Sequence, residues 1–348
     1  MNEAPIPPTK PDNTGYGVHT TLDFVEGGVR ERQPGRGKKP GHQTRIDPPM
    51  LHPAKSGLRY QLHPWSLGRL ESLARSRFVI AEFTEAHLES WRSRDQEHYE
   101  GIVQSVMASS AIEGEKVYVT SAAVHGHVEN EPEDIPASTE ATRRRLIGGD
   151  IYDAYIFALQ RKTAPVLTKT FILELHRMMF LRVYPEEAGK LKTSPVTIQG
   201  GSYFIETVLP ERADAFLDSL LERFEQRWCL AVSANEYSLF LIITEFIVDF
   251  LAIHPFQDGN GRTARLLSTY LLERAGYHFA RFYSLDNVIH ETRREYYSSL
   301  YAAQSQWYLP EENLSEWVDY YISSVHTQYR RALDELREKS VIEKRFPA

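Results

Sequence analysis

Hydrophobic residues recur at helical spacing along most of the chain beyond about residue 61. Leu67, Leu70 and Leu73 lie three residues apart and predict a short first helix. An apolar stripe predicts a longer helix from near Thr84, a residue suited to an N-cap, to about Ala111. The same spacing predicts helices near residues 139–161, 168–182, 211–230, 233–253, 260–276, 288–306 and 313–339. The pattern therefore predicts an all-α fold.

One stretch departs from the helical spacing. Residues 193–205 place β-formers on both sides of the sequence Gln-Gly-Gly-Ser, which is typical of a turn. This arrangement predicts a β-hairpin between two helices. The first arm of the predicted hairpin contains Thr193, Val196, Thr197 and Ile198.

The N-terminal residues have a different composition from the rest. Residues 1–60 hold nine of the nineteen prolines and show no hydrophobic period. A basic patch in this stretch consists of Arg30, Arg32, Arg36, Lys38 and Lys39. We predict a disordered or loosely packed arm, either a solvated tail or an electrostatic tether to an acidic partner. Residues 61–135 are predicted to form an N-terminal helical region, and residues 136–345 the core with its C-terminal helices.

Composition narrows the classes of function. The 348 residues allow one large domain or two modest ones, and a net charge of −7 argues against a general nucleic-acid binder. The single cysteine, Cys229, cannot form an internal disulfide, which favours a reducing compartment. We predict that Cys229 is buried on a helix as a small hydrophobic residue. Glu245 and Asp249 interrupt the longest apolar stretch, residues 238–253, which therefore predicts a core helix. We expect a cytoplasmic protein that does not bind membranes. The sequence leaves open whether the chain forms homo-oligomers.

Candidate chemistry is concentrated in residues 254–265, which read His-Pro-Phe-Gln-Asp-Gly-Asn-Gly-Arg-Thr-Ala-Arg. The glycines let backbone N–H groups approach an anion at the start of the predicted helix. Asp258 is a hard oxygen ligand suited to Mg²⁺, which a nucleotide di- or triphosphate would bring. Arg262 and Arg265 share one helical face and can each bind a phosphate, while His254 is left for proton transfer.

This segment resembles the signature of the Fic family, H-x-F-x-(D/E)-G-N-G-R-x-x-R, and matches it at all eight fixed positions. The resemblance implies a helical bundle with one hairpin, called the flap. It also implies transfer of AMP from ATP to a Ser, Thr or Tyr hydroxyl of a protein, the chain itself included. His254 would be the general base, Asp258 would hold Mg²⁺, and Arg265 would hold the γ-phosphate. Backbone amides of Gly259, Asn260 and Gly261 would bind phosphate oxygens, and Arg262 the leaving phosphates.

The flap has an implied role as well. In Fic proteins it docks the main chain of the segment that is modified, which suits an edge strand with unpaired backbone groups. A plain surface hairpin fits the same sequence. The alternatives at the level of function are removal of AMP, transfer of another nucleotide monophosphate, and a non-enzymatic module that binds a partner through the flap and the basic arm.

A second segment, residues 109–114, resembles the inhibitory motif (S/T)-x-x-x-E-(G/N) of autoregulated Fic proteins. Ser109, Glu113 and Gly114 stand at its fixed positions. By that resemblance the Glu113 carboxylate would form a bidentate ion pair with Arg265 and so compete with the γ-phosphate for this arginine. The same residues fit a plain helix end, with Gly114 in the left-handed conformation.

A third segment, residues 293–300, resembles the Tyr-Tyr-x-x-Leu sequence of the family. Tyr296 and Tyr297 would flank the adenine, and Gln304 stands where relatives often carry Asn. Glutamine keeps the same donor and acceptor groups. Adjacent helical residues point to different sides, so a single tyrosine in the pocket, with the other half-buried in the core, also fits.

Overall fold

The computed structural model describes residues 21–22, 59–77, 95–119, 139–161, 165–200, 203–234, 236–309 and 312–338. The helices are α1 (64–77), α2 (Asp95–Ile112), α3 (Thr139–Gln160), α4 (Lys169–Phe180), α5 (Pro210–Ala234), α6 (Glu236–Ile253), α7 (Asn260–Arg274), α8 (Leu285–Glu291), α9 (Arg293–Gln304) and α10 (Ser315–Glu338). A 3₁₀ turn, His278–Arg281, follows α7. The predicted all-α fold is confirmed.

The predicted hairpin is present between α4 and α5. Its strands are β2 (Thr197–Gly200) and β3 (Tyr203–Glu206), paired antiparallel with Thr197 opposite Glu206. A two-residue strand, β1 (Thr21–Leu22), pairs in parallel with β2. The rest of the predicted arm up to residue 58 lies outside the described residues.

One predicted helix, 288–306, is wrong in its extent. The chain forms two shorter helices there, α8 and α9, which meet at Thr292. The backbone of Thr292 leaves the helical region, with φ −106° and ψ 34°. Its hydroxyl Oγ1 lies 2.7 Å from the carbonyl oxygen of Val288 and 2.9 Å from the hydroxyl of Tyr320 on α10. A side chain that bonds backbone and a neighbouring helix at once stabilises such a bend.

Helix α6 lies at the centre of the bundle. It is mostly apolar and buried, as expected of a helix that other elements surround, and it packs against α5, α7, α9 and α10. Helix α7 is buried along nearly its whole length. These two helices fix the segment between them, residues 254–259. The predicted burial of Cys229 is wrong, because this residue lies exposed on α5. Among the described residues, no helix has the length and apolar character needed to span a bilayer.

A buried ion-pair network ties the residues before α1 to α6. The guanidinium of Arg59 donates to both oxygens of Asp249, at 2.8 and 2.6 Å, and to both oxygens of Glu312, at 3.1 and 2.5 Å. The indole of Trp307 donates to Asp249 as well, at 2.8 Å. Burial would raise the pKa of Asp249, but the charge and hydrogen bonds of Arg59 lower it to about 2.

We expect Arg59→Ala to lower the free energy of unfolding by about 3–5 kcal/mol, because it leaves two buried carboxylates without their main partner. Urea unfolding followed by circular dichroism measures this change. Arg75→Ala is the matched control, since Arg75 is exposed and pairs with Glu71 within one helix at 3.0 Å. The control should change stability by at most about 0.5 kcal/mol. Equal effects of the two substitutions would contradict the prediction.

Candidate active site

The loop between α6 and α7 is held in an unusual backbone conformation. His254 has φ 54°, which is uncommon for a residue with a side chain, and Gly259 has φ 81°. The side chain of Asn260 closes the loop, because its Oδ1 accepts from the Phe256 N–H and its Nδ2 donates to the Phe256 carbonyl, both at 2.9 Å. The carboxamide of Asn260 is thus a structural brace within the motif.

Gly259 is required by space as well as by its φ. A Cβ atom at this position would lie 2.3 Å from the ring of Phe180. Gly259 supplies no side-chain cap to α7. The first turn of a helix has N–H groups without intrahelical partners and carries the positive end of the helix dipole, so this turn suits an anion. The Gly259 N–H itself donates to Asp258 Oδ1 at 2.6 Å.

His254 is set up as a proton acceptor. Its Nδ1 lies 3.1 Å from the Leu251 carbonyl oxygen and therefore carries the proton, which leaves Nε2 with its lone pair. Burial, together with the positive charge of Lys192, lowers the pKa of His254 to about 4. The imidazole is neutral at physiological pH, as a general base must be before it accepts a proton.

A second histidine, His176 on α4, supports the loop. Its Nε2 donates to the Asp258 carbonyl at 3.0 Å, and its Nδ1 accepts from the Gly189 N–H at 2.9 Å. The ring stacks on Phe256, with ring centroids 3.8 Å apart. Burial lowers the pKa of His176 to about 4, so the ring stays neutral in this role.

Arg262 is buried at the first turn of α7 and contacts two carboxylates. Its Nη2 donates to Asp258 Oδ2 at 3.0 Å, and its Nη1 donates to Glu115 Oε2 at 3.1 Å. The guanidinium also lies over the ring of Phe180, 4.6 Å from the centroid. The side chain is 4% exposed, so these contacts compensate a largely desolvated charge.

Arg265 is buried one turn further along and contacts the end of α2. Its Nη2 donates to Glu113 Oε1 at 2.6 Å. Ser109 accepts two further hydrogen bonds from Arg265. Nε of Arg265 donates to the Ser109 Oγ at 2.8 Å, and Nη2 donates to the Ser109 carbonyl at 2.9 Å. The predicted pair of Glu113 and Arg265 is therefore present, but it runs through one carboxylate oxygen rather than two. The buried carboxylate of Asp286 lies 3.4 Å from Nε.

The end of α2 aims Glu113 at this arginine. Gly114 has φ 84°, its N–H donates to Ala111, and the Glu115 N–H donates to Ser110. These two hydrogen bonds are those of a Schellman cap. The helix-end and inhibitory interpretations of residues 109–114 thus describe the same turn. A Cβ atom on Gly261 would lie 2.2 Å from Glu113 Oε1, so this carboxylate sits directly on the first turn of α7.

The base of the flap is tied to the loop that carries His254. Ser194 Oγ donates to Gln257 Oε1 at 2.9 Å. The Lys192 N–H donates to the Pro255 carbonyl at 2.9 Å, and its buried ammonium donates to the Ile253 carbonyl at 3.1 Å. The predicted flap residues follow this base: Thr193 is exposed, and Val196, Thr197 and Ile198 are partly exposed.

The two tyrosines of α9 point in different directions. Tyr296 is buried against Trp317 and Tyr320 of α10. Tyr297 is partly buried, and its hydroxyl lies 3.4 Å from the Ile112 carbonyl at the end of α2. Gln304 is buried, and its Nε2 has no hydrogen-bond partner among the described residues.

A metal ion at this site would have one carboxylate ligand, that of Asp258. The Asp258 side chain is 45% exposed, and the described residues contain no cluster of three or more metal-binding side chains. This donor set fits Mg²⁺, which keeps several waters and binds through one or two carboxylates plus phosphate oxygens. Both oxygens of Asp258 already accept hydrogen bonds, Oδ1 from the Gly259 N–H and Oδ2 from Arg262, so a bound ion would share this carboxylate with them.

Sequence reasoning overlooked three side chains that complete the site: Glu115, Lys192 and Asp286. Glu115 follows Glu113 across a glycine in a helix cap, and that spacing is a signal that could have identified it. Lys192 and Asp286 reach the site from distant parts of the chain, and their local sequence does not mark them.

Comparisons with known proteins agree with this geometry. Residues 166–272 match the Fic/DOC family. The chain is 31% identical over 211 residues to "Protein adenylyltransferase Fic" of Drosophila grimshawi, which covers 60% of this chain and 40% of that protein. The Drosophila melanogaster protein of the same name is 31% identical over 213 residues, with 60% and 39% covered. The chain thus spans about two fifths of the length of these relatives.

Two solved structures share the fold. A Fic family protein from Desulfovibrio desulfuricans G20 has a TM-score of 0.59 at 20% identity, covering 80% of this chain and 77% of that chain. A fragment of Fic-1 from C. elegans has a TM-score of 0.57 at 24% identity, covering 79% and 74%. These likenesses establish the helical fold.

We expect the imidazole of His254 to lose its proton near pH 4 in the folded protein, instead of near 6.5 as in an unfolded chain. Imidazole nitrogen NMR during a pH titration measures this, with His254→Ala to assign the signal. A pKa lowered by folding means that the unfolded chain binds more protons between these values. Stability should therefore fall as the pH drops from about 6.5 to 4. Titration near 6.5 in the folded state would contradict the prediction.

Proposed function

We propose that the chain transfers AMP from ATP to a hydroxyl group of a protein, and the match of residues 166–272 to the Fic/DOC family supports this reaction. One observation carries the proposal: His254, whose Nε2 keeps its lone pair, precedes a helix whose first two turns hold two buried arginines. A base beside an anion site is the arrangement that transfer of a phosphate group to a hydroxyl requires. The name of the Drosophila relatives, protein adenylyltransferase, supports the same reaction.

The chemistry proceeds by displacement at the α-phosphorus. The oxygen of a Ser, Thr or Tyr side chain forms a bond to this phosphorus, and its proton passes to Nε2 of His254. The bond to the oxygen that bridges the α- and β-phosphates breaks, and pyrophosphate leaves. His254 is suited to this step because its pKa lies below physiological pH and its ring is held by Leu251.

The first two turns of α7 would bind the phosphates. The backbone N–H groups of Asn260 and Gly261 lie at the positive end of the helix, which attracts an anion, whereas the Gly259 N–H donates to Asp258. Arg262 and Arg265 are buried, which strengthens their attraction for phosphate. Mg²⁺ held by Asp258 would neutralise part of the phosphate charge when it is bound.

The nucleotide base would lie toward α9. Tyr297 is the tyrosine of the pair that faces the end of α2, whereas Tyr296 supports it from the core. Nε2 of Gln304 lacks a hydrogen-bond partner in the part of the chain that the structure describes. The side chain is buried, so contact with the adenine requires the side chains that cover it to move.

The flap would position the protein target. Its β2 strand accepts Thr21–Leu22 as a parallel partner, which supports the idea that this edge takes up an extended segment. The base of the flap is bonded to the His254 loop through Ser194 and Lys192. A segment paired with the flap would therefore be held in a fixed relation to the general base.

Glu113 would inhibit this reaction. Its Oε1 occupies Arg265 at 2.6 Å and lies against Gly261, where a triphosphate would have to settle. One guanidinium cannot hold the carboxylate and the γ-phosphate in the same geometry. Misplacement of the phosphates by about an ångström lowers the rate by roughly a hundredfold.

Two other reactions use the same residues, namely removal of AMP and transfer of another nucleotide monophosphate. A non-enzymatic module that binds a partner through the flap is the remaining alternative. Purified protein, Mg²⁺ and each nucleoside triphosphate labelled at the α-phosphate separate these possibilities. Label on protein from ATP supports AMP transfer, label from another triphosphate changes the donor, and loss of label from modified protein supports removal.

We expect Glu113→Gly to raise incorporation of labelled AMP by about tenfold or more, since a lost blocking contact of about 1.4 kcal/mol already gives a factor of ten. Adding Arg265→Ala should abolish the gain, because the arginine that is released is then absent. Autoradiography of both variants and the wild type measures this.

His254→Ala in the Glu113→Gly background is the catalytic control. It should abolish incorporation and leave ATP binding largely intact, because the phosphate contacts come from other groups. Equal incorporation by wild type and Glu113→Gly would show that residues 109–114 only end a helix. Incorporation that survives His254→Ala would refute the role of the base.

A further inference from the structure

Lys192 is a buried lysine that the proposed reaction does not use. It lies between α4 and β2 and is 3% exposed. Its Nζ donates to Thr207 Oγ1 at 2.8 Å and to the Ile253 carbonyl at 3.1 Å. Burial lowers the pKa of Lys192 to about 7. A lysine in such surroundings is unfavourable for stability unless its contacts compensate, and these contacts point to two parts of the site.

The first part is the backbone of His254. The ammonium of Lys192 bonds the carbonyl of Ile253, and the backbone N–H of Lys192 bonds the carbonyl of Pro255. These are the residues immediately before and after His254, whose φ of 54° is strained. A strained residue persists only where its surroundings fix it from several sides. The Ile253 carbonyl also ends α6, where a cation is favoured by the helix dipole.

The second part is the base of the flap. Thr207 follows β3, and its Oγ1 donates to the Val196 carbonyl before β2 at 2.7 Å. Lys192 therefore bonds the hydroxyl that joins both arms of the flap. One side chain thus connects the two arms of the hairpin to the peptide that carries the general base.

We propose that Lys192 is a positioning residue, which fixes the flap and the strained His254 backbone in one frame. The proposal rests on the proposed function, in which the flap holds the target hydroxyl and His254 accepts its proton. The distance between hydroxyl and base is then set by Lys192, although this lysine touches neither the target nor the nucleotide.

The test replaces Lys192 by methionine, which has a similar length and no charge, in the Glu113→Gly background. We expect kcat for transfer to fall by about a hundredfold with little change in KM for ATP, because alignment is lost and phosphate binding is kept. Thermal stability should hold or rise, since a buried charge is removed. Lys190→Met is the matched control, because the Lys190 side chain is 63% exposed, and it should leave kcat unchanged.

Two readouts do not depend on the reaction. The pKa of His254 should rise in Lys192→Met, because the nearby positive charge is absent while the negative charge of Asp258 remains. Flap amides should exchange hydrogen faster. An unchanged kcat, or a loss of kcat that follows a loss of thermal stability, would overturn the positioning role. No transfer in Glu113→Gly itself would contradict the proposed function instead, and the NMR and exchange data would still decide the role of Lys192.

A different observation, the position of Glu115, carries a second inference. Its Oε2 accepts from Arg262 Nη1 at 3.1 Å, and its Oε1 accepts from Arg143 Nη2 at 3.2 Å. Arg143 on α3 also donates to the hydroxyl of Tyr184. The Glu115 carboxylate is thus held between α3 and the first turn of α7. A solvated surface carboxylate would not be fixed by two arginines from different helices.

The cap of α2 explains the placement. Glu113 precedes and Glu115 follows Gly114, whose left-handed backbone turns the chain. The turn leaves one carboxylate on Arg265 and the other on Arg262. The two arginines assigned to the phosphates are therefore both occupied by carboxylates of a three-residue segment.

We infer that Glu115 is a second inhibitory carboxylate, which acts on Arg262 as Glu113 acts on Arg265. The inference rests on the proposed function, since Arg262 is the arginine expected to bind the leaving phosphates. The Glu115 side chain is 28% exposed, so its contact is weaker than one in the core.

We expect Glu115→Ala to tighten ATP binding by about fivefold and to leave AMP binding nearly unchanged, because AMP lacks the leaving phosphates. Combined with Glu113→Gly, it should raise transfer by a similar further factor. Glu71→Ala is the matched control, since Glu71 is 57% exposed and pairs with Arg75 at 3.0 Å. Isothermal titration with ATP and with AMP, in the absence of a protein target, measures the binding.

Each outcome decides the inference. Equal ATP affinity in Glu115→Ala and wild type would overturn it. A fall in transfer in the Glu113→Gly background would also overturn it, because Glu115 would then hold Arg262 in its active position. Tighter ATP binding without any transfer would support the occupation of Arg262 and contradict the proposed function.

Discussion

Two desolvated arginines determine the arrangement of this site. The side chains of Arg262 and Arg265 are 4% and 3% exposed, because α7 is buried along nearly its whole length. A buried positive charge is stable only with anionic or hydrogen-bonding partners. The protein supplies these partners from α2 and its cap, from the loop before α7 and from α8. Under the proposed function, the carboxylates would compete with the phosphates of a nucleotide for these arginines.

The surrounding residues fix the position of the N-terminus of α7. Phe180 lies under Gly259, His176 bonds the carbonyl of Asp258, and Asn260 closes the loop on itself. These contacts come from α4 and from the loop, and they involve neutral groups. The positive charge at the helix start is thus left to attract an anion, while the position of the turn is set by packing and by backbone hydrogen bonds.

Local sequence was sufficient for much of this architecture. Helical spacing predicted most helix positions, and β-formers around a glycine turn predicted the hairpin. The contact of Glu113 with Arg265 followed from a resemblance, and the structure contains it. The break at Thr292 was not predictable, because it depends on Tyr320 from another helix. The contacts of Lys192 were not predictable for the same reason, since its partners, Thr207 and Ile253, lie 15 and 61 residues away in the chain.

The cap of α2 places one carboxylate on each of the two arginines, Glu113 on Arg265 and Glu115 on Arg262. Two backbone hydrogen bonds and a left-handed glycine hold this turn together. Under the proposed function, a ligand with a single phosphate would displace the carboxylate from one arginine, whereas a polyphosphate would displace both. The turn would then distinguish ligands by their number of phosphates.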